Sequence, residues 1–127
     1  MNSKEAIRRI DREIARLQKM RDILEQVELE NINSVDENKI RLEFTTLDEV
    51  VEARNQMRDF CNAKYSIRTI FSSFGRMYAT WGSEEIPIDI WLGTHLEDFP
   101  KSLLKEGCRI EKSERIETDY NVVCSMD

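Results

Sequence analysis

Residues 65–92 read YSIRTIFSSFGRMYATWGSEEIPIDIWL, and the spacing of their apolar side chains decides the fold. From Tyr65 onward the period is two. Ile67, Thr69 and Phe71 alternate with Arg68 and Ile70. A Ser-Ser-Phe-Gly turn follows, where Gly75 is suited to positive φ. Arg76, Tyr78 and Thr80 then alternate with Met77, Ala79 and Trp81, so the two runs predict a β-hairpin. After a turn at Gly82, Ser83 and Glu84, the residues Ile86, Ile88, Ile90 and Leu92 face a core. Pro87, Asp89 and Trp91 face away. Pro87 puts this strand at an edge, or puts the proline at a strand start.

Upstream, the period changes to that of a helix. Thr46 and Glu49 form a T-x-x-E capping box. Leu47, Val50, Val51, Met57, Phe60 and Cys61 supply a buried face, and Asn62 lies near the helix end. Before it, Ile40, Leu42 and Phe44 alternate with Lys39, Arg41, Glu43 and Thr45 as a strand. Glu28 to Asn38 is polar and reads as a loop.

The chain opens on a long helix. Ile7, Ile10, Ile14 and Leu17 recur three and four apart, and Met20, Leu24 and Val27 carry the stripe onward. Asn2 or Ser3 caps the start, with Glu5 in the first turn. The stripe is nearly a coiled-coil seam. It must bury on its own sheet or on a partner chain, and both readings stand.

Downstream, Thr94 to Pro100 reads as a connector, Pro100 opens a short helix through Leu104, and Gly107 ends it. Cys108 and Ile110 alternate with Arg109 and Glu111. Thr118, Tyr120, Val122 and Cys124 form a last strand. The expected fold is α+β: a long N-terminal helix, then a second helix packed on a mostly antiparallel β-sheet. The 127 residues are expected to form a single domain, with residues 1–30 a helical, oligomerising arm and 38–127 an α+β core.

Composition narrows the function classes. A net charge of −6 and a pI near 5.0 argue against nonspecific nucleic-acid binding, which needs a basic surface. A local arginine pocket for a small anion is compatible with that charge. Three widely spaced cysteines (61, 108 and 124) favour reduced, buried thiols over a disulfide framework. The N-terminus is charged from its fourth residue, unlike a signal peptide, and no apolar run reaches membrane-spanning length. A cytoplasmic protein is expected.

No catalytic constellation is visible. His95 is the single histidine and sits beside no nucleophile motif, and the ligands of a zinc site are missing. The four glycines form neither a P-loop nor a G-x-G-x-x-G cradle. Asp89 stands outward on an apolar strand, able to hold a ribose hydroxyl or simply to mark a wet sheet face. Arg68, Arg76 and Arg109 fall on strands among apolar or aromatic neighbours. A guanidinium there suits a phosphate, and a ring beside it suits a purine. The same arginines equally suit cross-strand ion pairs.

The stretches EIPIDIWL (85–92), DFPKSLLKEGCRIE (98–111) and YNVVC (120–124), together with the long first helix, resemble the first family of Thoeris anti-defence proteins. These are small phage-encoded sponges. The resemblance covers most of the chain in outline, without a diagnostic motif. It implies a cofactor-free, non-enzymatic protein of the infected bacterial cytoplasm. Such a protein sequesters a cyclic ADP-ribose isomer or cyclic oligonucleotide and binds it between subunits. The strand reading then assigns Phe71, Phe74 and Trp81 to base stacking, and Arg68, Arg76 and Arg109 to phosphates. Two other readings compete. One is an acidic phage inhibitor of a host protein, anti-CRISPR-like, acting through carboxylates around Glu28–Glu37 and Glu111–Asp119. The last is a nucleotide hydrolase using Asp89 or His95.

Overall fold

A computed structural model of the chain describes residues 1–27, 29–36, 38–104, 108–112 and 120–124. The first helix, α1, runs from Ser3 to Gln26 and is capped by Asn2, whose side chain accepts the Glu5 N–H at 2.9 Å. Only its C-terminal part docks: Met20 and Ile23 are buried, followed by Val27 at the cap. Ile7, Ile10, Ile14 and Leu17 remain exposed, so the protein's own sheet does not take the full stripe.

The polar segment expected to be a loop contains a short strand, β1 (Ile32–Val35), antiparallel to β2 (Ile40–Phe44). All four β1 residues are exposed, so no in-out alternation marks it in the sequence. Asp36 forms the connecting turn by accepting the N–H groups of Asn38 and Lys39, which holds its carboxyl below the usual carboxylate range.

The second helix, α2 (Leu47–Cys61), starts on the expected box: the Thr46 hydroxyl accepts from Glu49 N–H, and the Glu49 carboxylate accepts from Thr46 N–H. It ends at Asn62 in the left-handed region, φ 52°, a conformation asparagine tolerates. Its buried face is Val50, Ala53 and Met57. Val51 and Phe60, expected inside, are exposed, and Cys61 is half-buried.

The hairpin pairs β3 (Ser66–Ser73) with β4 (Arg76–Gly82). Both residues of its two-residue turn have positive φ, 51° at Phe74 and 78° at Gly75, as in a type I′ turn. The next strand, β5 (Ile88–His95), is central. It runs parallel to β2 and antiparallel to β4, giving the order β1-β2-β5-β4-β3. Pro87 precedes β5, where its missing N–H breaks no ladder bond, and its carbonyl accepts from Ile40 N–H at 2.9 Å. The chain is thus an α+β fold with a mostly antiparallel five-stranded sheet.

Single 3-10 turns at Leu96–Asp98 and Lys101–Leu103 replace the expected short helix. The last strands, β6 (Cys108–Lys112) and β7 (Tyr120–Cys124), form a separate antiparallel ribbon. Ser72 ties the ribbon to β3: its hydroxyl donates to the Tyr120 carbonyl at 2.8 Å and accepts from the Tyr120 N–H at 2.6 Å. Gly107 and Thr118 lie outside the described residues. Cys61 is a free thiol, but Cys124 is disulfide-bonded, against the expectation that all three cysteines are reduced. The ladder places residue 108 directly opposite residue 124, a proximity that sequence spacing does not reveal. Among the described residues no helix is long and apolar enough to cross a membrane.

One core holds these elements. Ile40, Leu42, Ile88, Ile90, Leu92, Met77 and Ala79 are fully buried on one sheet face, with Val50 and Met57 of α2 and Met20 and Ile23 of α1 in the same cluster. Both helices therefore bury their apolar residues against one side of the sheet.

Candidate functional site: the outer sheet face and an adjoining cleft

Residues directly opposite in a ladder share a sheet face, and side chains alternate along each strand. The register therefore defines the face opposite the core. Arg41 and Glu43 lie beside Asp89 and Trp91, while Thr80 and Tyr78 lie beside Trp91 and Gly93. Phe71 lies beside Tyr78, and Arg76 beside His95. Three of these residues are aromatic and touch one another. Phe71 and Tyr78 stack with ring centres 5.2 Å apart, and Trp91 meets both edge-on at 5.5 and 6.0 Å. All three rings are half-buried.

Arginines frame this cluster. The Arg41 guanidinium sits over Trp91, its Cζ 4.1 Å from the ring centre. Its Nη2 donates to Asn33 Oδ1 at 2.7 Å and lies 3.8 Å from Glu43 Oε1. The Arg41 Nε is buried and has no hydrogen-bond partner among the described residues. At the other end, Arg76 Nη2 donates to the Gly93 carbonyl at 3.1 Å. Gly93 is needed there: a Cβ would stand 2.9 Å from Tyr78 Cε1 and 3.7 Å from Arg76 Nη2.

Where β2 and β5 begin, this face runs into a cleft of about 610 Å³. Arg16 and Lys19 of α1 line it together with Lys39 and Arg68, with Glu84, Glu85 and Asp89 among them. Asp89 is tied to Lys39 at 3.0 Å, and Lys19 donates to the Glu85 carbonyl at 2.6 Å. Arg16 hydrogen-bonds Asn38. The Ser83 hydroxyl hydrogen-bonds the Glu85 carboxylate, which holds that carboxyl below its usual range. Arg68 lies across Gly82, where a Cβ would collide with its guanidinium end and stand 2.8 Å from its Cδ. Asp89 is registered with Arg41 and precedes Trp91 by two residues on β5, so it shares the face of that ring. The cleft and the aromatic cluster are therefore about 7 Å apart along the strands.

Of the residues expected at a site, Phe71 and Arg76 lie on this face and Arg68 lies in the cleft. Trp81 does not join them. It is 3% exposed in the core, because its strand parity matches Met77 and Ala79 rather than Tyr78. Phe74 projects from the hairpin tip, 94% exposed, and Arg109 stands on the separate ribbon. Tyr78, Trp91 and Arg41 were not expected, although the alternation set Trp91 and Arg41 away from the core and gave Tyr78 the opposite parity to Trp81. His95 ends β5 on the exposed rim, and among the described residues no three metal-ligating side chains converge.

The chain matches no family model, no curated protein and no solved structure.

Proposed function

We propose that the protein is a binding protein that takes up a small nucleotide-type anion and returns it chemically unchanged. The observation carrying this reading is the junction of a four-cation cleft with an arginine-framed aromatic cluster on one sheet face. Phosphate oxygens pair with Arg68, Lys39, Arg16 and Lys19. The ligand's ring packs against the half-exposed Tyr78, Phe71 and Trp91 cluster. Asp89 and Glu85 accept hydrogen bonds from sugar hydroxyls. The cleft volume falls in the range typical of small-molecule sites. In its finer form the ligand is a cyclic ADP-ribose isomer or a cyclic oligonucleotide, and its capture silences a bacterial anti-phage response.

A thermal-shift screen with cyclic nucleotides and ADP-ribose derivatives tests this. A ligand at 100 times its Kd stabilises the fold by about 2.7 kcal/mol, which raises Tm by several degrees. Arg68→Ala and Lys39→Ala should each weaken the shift. Heat release followed by mass spectrometry should return the intact ligand. Recovery of a cleaved product, or no shift across the panel, would sink the reading.

A second reading, an acidic inhibitor of a host protein, draws on Phe74. That side chain is 94% exposed at the hairpin tip on a molecule of net charge −6. An aromatic residue in that position suits an anchor for a partner's pocket. Capture of a single host protein that is lost with Phe74→Ala, with no nucleotide shift, would favour it.

A further inference from the structure

We propose that a second cavity, of about 320 Å³ beside the C-terminal half of α2, binds a small phosphate monoester. Val51, Arg54, Asn55 and Arg58 stand at i, i+3, i+4 and i+7 on one stripe of the helix and form one wall. The left-handed Asn62 ends the helix, and the chain doubles back so that Arg54 Nη2 donates to the Tyr65 carbonyl at 3.4 Å. Lys64 and Tyr65 thereby complete the lining. The Tyr65 hydroxyl donates to the Ile88 carbonyl at 2.7 Å, which fixes the ring in place. Val51 is exposed rather than buried because it lines this cavity instead of the core.

Charge selects the occupant. The chain carries 25 acidic residues against 19 lysines and arginines, yet among the described residues no carboxylate lines this cavity, whereas Glu84, Glu85 and Asp89 line the cleft. Arg54 and Arg58 are one turn apart, with Cβ atoms about 5–6 Å from each other, a like-charge spacing that destabilises a helix unless an anion bridges it. The helix end favours a cation, which accounts for Arg58 in the last turn but not for Arg54 or Lys64. Arg54 is half-buried and has no ion pair among the described residues. Arg58 lies 3.7 Å from the Asp59 carboxylate, but both side chains are exposed and such a pair contributes little. A phosphate monoester has a charge of about −1.5 to −2 at pH 7 and three terminal oxygens, which match two guanidiniums and an ammonium. A diester carries one charge and leaves cations unmatched. Val51 and the Tyr65 ring pack the group that the phosphate esterifies. Arg54 and Arg58 line no part of the cleft, so this inference does not rest on the ligand reading.

Isothermal titration calorimetry of the full chain with phenyl phosphate should show saturable binding, stronger than that of inorganic phosphate and roughly tenfold or more stronger than that of methyl phenyl phosphate, a diester. Affinity should rise with pH through about 6, where the monoester gains its second charge. Arg54→Ala and Arg58→Ala should each weaken binding roughly tenfold or more, while Lys39→Ala in the cleft leaves it unchanged. Both arginines lie outside the core, so each variant should melt within a few degrees of the parent. In two-dimensional NMR the amide signals of Asn55, Arg58 and Lys64 should move during the titration, and those of Lys39 and Asp89 should stay. No saturation by about 10 mM, equal affinity for the diester, equal losses with Lys39→Ala and Arg54→Ala, or signal movement centred on Asp89 would each overturn the proposal.

Discussion

Arg41 holds its guanidinium 4.1 Å from the centre of the Trp91 ring, across the one parallel strand pair in the five-stranded sheet. The contact joins β2 to β5, and it roofs an aromatic cluster on the sheet face opposite the core. Such a contact on a partly exposed surface contributes about 0.5–1 kcal/mol. Arg41→Lys keeps the charge but loses the planar stack and the Nη2 hydrogen bond to Asn33. Urea denaturation should show destabilisation of about that size. Ligand-induced thermal shifts should fall more for Trp91→Ala than for Trp81→Phe, because Trp81 has no surface from which to act. Equal losses for the two would contradict the face assignment.

Two glycines make opposite predictions. At Gly93 an added Cβ meets the Tyr78 ring at 2.9 Å, and that ring is fixed by Phe71 and Trp91. Gly93→Ala should cost about 1–3 kcal/mol, as overpacking does, and should alter near-UV circular dichroism. At Gly82 the obstructing atoms belong to the flexible end of Arg68. Gly82→Ala should leave Tm within a few degrees while displacing Arg68 and weakening ligand binding. A large stability loss at Gly82 would show that Arg68 is held in place structurally.

Phe74 carries a bulky side chain at φ 51° and packs it on nothing. Asn-Gly is the favoured pair for this turn. Phe74→Asn should therefore stabilise the chain by about 0.5–1 kcal/mol in equilibrium unfolding, the gain typical of relieving a residue unsuited to its backbone conformation. If Phe74 anchors a partner, the same change should weaken that binding while stability rises.

The capping box gives a pH dependence. Hydrogen bonds from the Thr46 hydroxyl, and then from Thr45 and the backbone, hold the Glu49 carboxyl below its ordinary value of 4.5. A carboxyl with a depressed folded-state pKa stabilises fully above its unfolded value, and the contribution disappears as pH falls through the folded value. Thr46→Ala should lower Tm by a few degrees at pH 7. The gap between variant and parent should narrow below about pH 4. A gap that stays constant down to pH 2 would mean that Glu49 takes no part.

The sequence by itself determined the element types and most sheet faces. Period-two alternation from Ile67 to Leu92 and the Thr46–Glu49 box are local signals, and tertiary packing left them standing. Strand parity already separated Tyr78 and Trp91 from Trp81, so the outer face was legible. Trp81 shares the parity of Met77 and Ala79 and is therefore a core ring, not a stacking one. Only the tertiary structure decided what depends on pairing between distant segments. The edge strand Ile32–Val35 has no buried side, and only its hydrogen bonds to β2 define it. The disulfide at Cys124 has no signal in the cysteine spacing, and the cleft takes its lining from α1 and from the segments at the starts of β2 and β5. Likewise, the apolar stripe of α1 is continuous in the sequence. It splits into a docked end and a free seam because 3.6 residues per turn carry its two halves to different sides of the helix.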